Sequence, residues 1–262
     1  MSPISGHFIE GGEMNRKYDN RRSEEAIAIP IEEAHRAAAH GIERAAEDRG
    51  AFLGRVYAHL LGAILAFVGV EVFFFKTGLA LTLSKALLGV NWMLVLGGFM
   101  VCGWMARGPA SRAASPGAQY AGLGLYVLAQ AVIFAPMLYI AESYADGGVI
   151  RSAAILTVLA FVGLTLIVLQ TGKDFTFMGG MLRWGGIVAL IAIGGGVFFG
   201  WALGTWFSVA MIGLAGAAIL YDTSKIVSDW PGDRHVAAAL ELFASVALLF
   251  WYILRLLMGS RR

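Results

Sequence analysis

The chain has 262 residues, 58% of them hydrophobic and only 15% charged, with 34 glycines and a formal net charge of +2. A soluble domain of this length needs far more polar surface to cover its core, so the composition excludes a soluble globular protein and points to a polytopic membrane protein. The near-neutral charge gives no reason to expect a nucleic-acid partner, and a lone cysteine, Cys102, excludes an internal disulfide framework or a cysteine-rich zinc site.

Residues 1–52 form a polar tail, expected on the cytoplasmic side and partly disordered or weakly helical. Its charges sit in "MNRKYDNRRSEE" and "ERAAEDRG". Ile31, Ala34, Ala38, Ile42 and Ala45 recur at helical spacing, which predicts a weakly amphipathic helix starting near Pro30.

Beyond the tail, charges become sparse enough to mark the edges of membrane spans, each needing roughly 20 apolar residues. Seven segments are expected within a membrane domain at 53–258: about 56–75, 87–106, 117–140, 150–171, 178–200, 204–226 and 236–258, followed by a short tail at 259–262. The fifth and sixth share one charge-free run from Gly185 to Tyr221. That run is divided at "GWALGTW", where two glycines and two tryptophans suit an interfacial turn. The basic residues Arg55, Arg107, Arg112, Lys173, Arg183, Lys225 and Arg234 gather on one side, which predicts a cytoplasmic N-terminus. The final "MGSRR" falls on the other side, so the last segment either crosses despite the rule or re-enters.

Acids inside the spans are the exceptions, because an ionised side chain in hydrocarbon is costly and usually faces a protein or water-filled interior. Glu71 lies near the outer end of the first span and is read as a side chain reaching the interface. Asp222, in "AAILYDTSKIV", precedes the short link "SDWPGDRH", and Glu241 follows it. The sixth and seventh spans form an antiparallel hairpin, so these two acids lie at similar depth. If they face each other, one must hold its proton and the pair acts as a proton-sensitive latch. If they face apart, Asp222 is a surface partner of Lys225 three residues on. Tyr221, Thr223, Lys225 and Arg234 are the neighbouring groups able to pair with Asp222.

The segment "AAILYDTSKIV" resembles the signature of the Bax inhibitor-1 family, also called the transmembrane Bax inhibitor motif family. "VLQTGKDFTFMGGML" (168–182), "APMLYIA" (135–141) and "ALELFASVALLFWYILRLL" (239–257) are similar to further parts of that family, in register across most of residues 52–258. The resemblance implies an all-α, seven-helix membrane bundle with a central last helix. It also implies, for some bacterial members, a calcium leak gated by two aspartates. Asp222 matches the first of these, whereas the second position is Ser245, which cannot titrate at physiological pH. The proteobacterial branch, similar in carrying serine there, is associated with a membrane-anchored AAA+ protease as substrate or modulator. Glu241 lies one helical turn from Ser245 on the same face and is a candidate to replace the missing acid.

Other motifs carry less. "GGGVFFG" (194–200) lacks the Lys-Ser or Lys-Thr of a phosphate loop and reads as a close-packing face. No His-Glu-x-x-His or Gly-x-Ser-x-Gly motif is present, and the five histidines are scattered, so neither catalysis nor a cofactor is expected. Two functions follow: a pH-sensitive calcium or cation leak in a bacterial cytoplasmic membrane, gated by Asp222, Glu241 and Ser245, or a non-channel modulator or substrate of a membrane AAA+ protease. In both the lipid bilayer is the immediate partner.

Overall fold

A computed structural model describes residues 31–90, 94–95, 97–98, 100–103, 105, 115–144, 148–200 and 203–260. The helices are α1 (Ile31–Thr77), α2 (Leu79–Leu88), α3 (Pro116–Tyr144), α4 (Val149–Thr171), α5 (Gly179–Phe199), α6 (Thr205–Ser228) and α7 (His235–Ser260). A 3-10 turn, Thr176–Met178, leads into α5. Two compact units divide the chain, residues 1–50 and 51–262. The first contributes helical residues from Ile31 onward.

Helix is the local solution these sequences dictate, since a backbone in hydrocarbon must satisfy its own polar groups. Among the described residues six helices are long and apolar enough to cross a membrane, the first over Glu47–Thr77 and the last over His235–Gly259. The junctions fall at glycines. Gly172 ends α4 at φ 60 with its N–H on the Val168 carbonyl, and Gly200 ends α5 at φ 70. A left-handed residue strains any side chain with a Cβ, so these two glycines define where the helices stop. The chain resumes helix at Thr205, so the charge-free run from Gly185 to Tyr221 is divided inside "GWALGTW".

The segment between the first two expected spans differs from a simple outer loop. Residues 79–88 form the helix α2, which packs against α3 and buries Ala80 and Ser84. Ser84 donates its hydroxyl to the Ala80 carbonyl, which removes a polar group from the packed face. At ten residues, α2 spans about 15 Å, half the ~30 Å hydrocarbon thickness. The architecture is therefore an all-α bundle with six candidate crossings and one short apolar helix. Within the second expected span, residues 94–95, 97–98, 100–103 and 105 are helical, and the rest of 91–106 lies outside the described residues. Pro136 sits inside α3 without ending it. α7 is one uninterrupted helix of 26 residues, about 39 Å long, which suits a crossing rather than a re-entrant turn.

α7 occupies the middle. It buries Ala238, Leu240, Leu242, Phe243, Leu249 and Leu254, and it packs against α3, α4 and α6. α1 closes a further side through Phe52, Val56, Leu60 and Ala63, which join the cluster around Leu240 and Phe243. Phe134 of α3 anchors an aromatic group at the centre, edge-on to Phe67 at 5.3 Å and Trp251 at 4.9 Å and stacked on Phe250 at 5.7 Å. Each such pair contributes roughly 0.5–1.5 kcal/mol beyond area burial. That matters here, because lipid is as apolar as a core and association depends on packing. α5, by contrast, is peripheral, with Trp184, Ile191, Phe198 and Phe199 exposed to the surroundings.

Candidate functional site

The candidate residues converge on the seam between α6 and α7, near the link 229–234 that joins them. Asp222 lies six residues before the end of α6 and Glu241 six residues after the start of α7, each about 9 Å along its helix. Their depths match, but their partners differ. Ser245 donates its hydroxyl to Asp222 Oδ2 at 2.5 Å, and Lys225 Nζ pairs with Glu241 Oε2 at 3.3 Å. The seam thus carries two rungs, each joining α6 to α7. A mirror-symmetric hairpin would set Asp222 opposite Glu241; the observed register is offset by about one helical turn, ~5.4 Å. The link closes with the Arg234 N–H on the Pro231 carbonyl, and the Arg234 carbonyl accepts the Ala238 N–H to start α7.

Lys225 is held on three sides. Besides Glu241, its ammonium sits 5.9 Å from the centroid of the Tyr221 ring and 5.5 Å from that of Trp230, both within cation–π range. Lys225 and Glu241 keep 32% and 29% of their side-chain exposure, so water still screens the pair. Ser245 and Thr223 are buried.

Ser224 is the part of this site that pattern reading missed. Its buried hydroxyl accepts the Phe175 N–H at 2.9 Å and donates to the Lys173 carbonyl at 3.3 Å, which staples the loop after α4 to α6. Within that loop Asp174 Oδ1 accepts the Thr176 N–H at 2.7 Å, and this bond holds the exposed carboxyl below the usual aspartate range. Three residues after Thr176, Gly179 opens α5 against the Tyr221 ring, where an added Cβ would lie 2.9 Å from Cε2. The signal was the serine next to "YDT", whose hydroxyl suits loop carbonyls and amides equally.

Ser245 has a second neighbourhood. It lines a cavity of about 680 Å³ between α3, α5, α6 and α7, whose polar residues include Gln130 and Arg255. Arg255 Nη2 donates to the Leu203 carbonyl at 2.6 Å and so ties α7 to the α5–α6 connection. Among the described residues no group of three His, Cys, Asp or Glu could hold a metal ion.

Comparison with known proteins now bears on this arrangement. The family model for the inhibitor of apoptosis-promoting Bax1, Bax1-I, matches residues 49–262. The chain belongs to the Bax1-I family. It is 33% identical over 126 residues to the modulator of FtsH protease YccA of Escherichia coli K12, covering 48% of this chain and 57% of the relative. It is 36% identical over 112 residues to an uncharacterised protein of Pseudomonas aeruginosa, covering 42% and 50%. A plant relative, Protein LIFEGUARD 1 of Arabidopsis thaliana, is 29% identical over 119 residues, covering 43% and 50%. The chain thus spans about half the length of these curated relatives. No solved structure matches it. With its candidate spans, the chain is a multi-pass membrane protein of this family.

Proposed function

We propose that this Bax1-I protein is a cation leak whose gate is the α6–α7 seam. The observation that carries the reading is the double role of Ser245, which lines the 680 Å³ cavity and also bonds Asp222 across the seam. In this reading the cavity is the vestibule, and the two rungs, Asp222–Ser245 and Lys225–Glu241, hold its narrow end shut. Carboxylate and hydroxyl oxygens suit a hard cation such as calcium. Protonation of either acid removes a charge that holds a rung, so leakage rises as the pH falls. Seven crossings, with the second drawn from 87–106, the domain limits at 53–258 and a cytoplasmic N-terminus in a bacterial cytoplasmic membrane belong to the same proposal. Calcium flux into vesicles holding the full chain tests it. Asp222→Asn is expected to raise flux at neutral pH and flatten its pH dependence. Equal flux for wild type and variant at every pH overturns the reading.

A second reading rests on the Escherichia coli relative, whose name records modulation of the FtsH protease. On this view the chain docks onto a membrane AAA+ protease through its charged residues 1–48. Deleting them is expected to change the turnover of protease substrates. Unchanged turnover and unchanged copurifying partners overturn it.

A further inference from the structure

We propose that a second cavity, remote from the α6–α7 seam, binds a lipophilic amine: an alkyl chain ending in an ammonium group that pairs with Glu71. The cavity measures about 800 Å³ and lies among α1, α3, α4 and α7. Glu71 of α1 lines it, is only 6% exposed, and has no hydrogen-bond partner on either carboxylate oxygen. The expected position of this side chain is the interface; in the structure it turns inward. Six residues before the end of α1, it lies about 9 Å below that end.

An unpartnered carboxylate in apolar surroundings is costly, and the cost is met by a proton or by a bound cation. Among the described residues none donates a hydrogen bond to Glu71. Thr157 lines the same cavity but spends its hydroxyl on the Ala153 carbonyl at 2.7 Å. Lys76 and Arg151 also line it, with Glu142, yet neither cation hydrogen-bonds Glu71. The remaining wall is largely apolar and aromatic, including Phe67, Phe134 and Phe250.

The shape of the cavity selects among cations. Its volume lies in the range of small-molecule sites, roughly 300–1,000 Å³. A bare divalent ion would find one buried carboxylate where it needs six or more oxygens, and would leave the apolar walls unfilled. A fatty acid would place like charge against Glu71. An alkylammonium satisfies both parts, with its head on Glu71 and its chain against Phe67 and Phe134. Val68, Val72 and Val158 line the cavity and are themselves 48%, 46% and 57% exposed, so the cavity has apolar residues at the molecular surface.

The test uses the full chain in phospholipid nanodiscs and three photoreactive probes that differ only at the head: a diazirine-bearing dodecylamine, dodecanol and dodecanoate. The amine is expected to label α1, α3 and α4 peptides saturably, with an apparent affinity about tenfold above the other two, the worth of a charge-assisted pair. Glu71→Gln is expected to remove that tenfold preference while leaving dodecanol labelling unchanged, which also reports that the fold is intact. Ala154→Phe, which fills the cavity from α4, is expected to abolish amine labelling and serves if Glu71→Gln does not fold. Equal labelling by the three probes means that any acyl chain occupies the space, and overturns the proposal. So does a preference for the amine that survives Glu71→Gln, or amine labelling that survives Ala154→Phe.

Discussion

Consider removing the Asp222–Ser245 rung of the seam. A double-mutant cycle of Asp222→Ala, Ser245→Ala and the pair isolates the interaction between the two side chains. The 2.5 Å separation is at the short end for a hydroxyl on a carboxylate, and such bonds contribute ~1.5–3 kcal/mol in soluble proteins. Interhelical hydrogen bonds in membranes average ~0.6 kcal/mol and reach ~1.7, because the separated helices find other partners. Ser245 is only 8% exposed, so water is a poor substitute for it, and the coupling should lie near the upper membrane value. We expect ~1.4 kcal/mol, a tenfold change in the unfolding constant. Titration with sodium dodecyl sulfate in mixed micelles, followed by tryptophan fluorescence, measures each variant. A coupling below ~0.3 kcal/mol would mean that the contact holds nothing, and the latch would lose its physical basis.

Further expectations rest on the loop that Ser224 staples to α6. Gly179→Ala places a methyl 2.9 Å from Tyr221 Cε2, so the ring must shift, at a cost of roughly 1 kcal/mol, and the cation–π contact to Lys225 loosens with it. An unchanged unfolding midpoint and unchanged Tyr221 ring signals would contradict this. Asp174→Asn removes a carboxylate whose folded state favours the ionised form. Because that shift is downward, its stabilisation is present above the ordinary aspartate range and is lost as the pH falls through the lower folded value. Wild type and variant should therefore differ in hydrogen exchange at the Thr176 amide near neutrality and converge in acid. A difference that grows as the pH falls would refute the assignment.

Much of the architecture is legible in the chain itself. Composition places it in a membrane, and charge-free runs locate most helices. A glycine that must adopt a left-handed backbone marks the break after Phe199. These features depend on local chemistry: the hydrogen-bonding demands of a backbone in hydrocarbon and the steric freedom of one residue. The depth of Asp222 and Glu241 is equally readable, because it follows from counting residues along two helices.

What surrounds those acids was decided only when the helices packed. A one-turn offset between α6 and α7 hands Asp222 to Ser245 and Glu241 to Lys225, and no count along the chain reveals it. Glu71 illustrates the same limit in rotation. Successive residues turn by about 100° around a helix, and hydropathy cannot tell a lipid-facing stripe from a core-facing one, since both are apolar. In water, burial and hydrophobicity coincide and periodicity shows which face is inside. In a bilayer that correspondence is lost, so the partners of each buried charge are set by helix register and rotation.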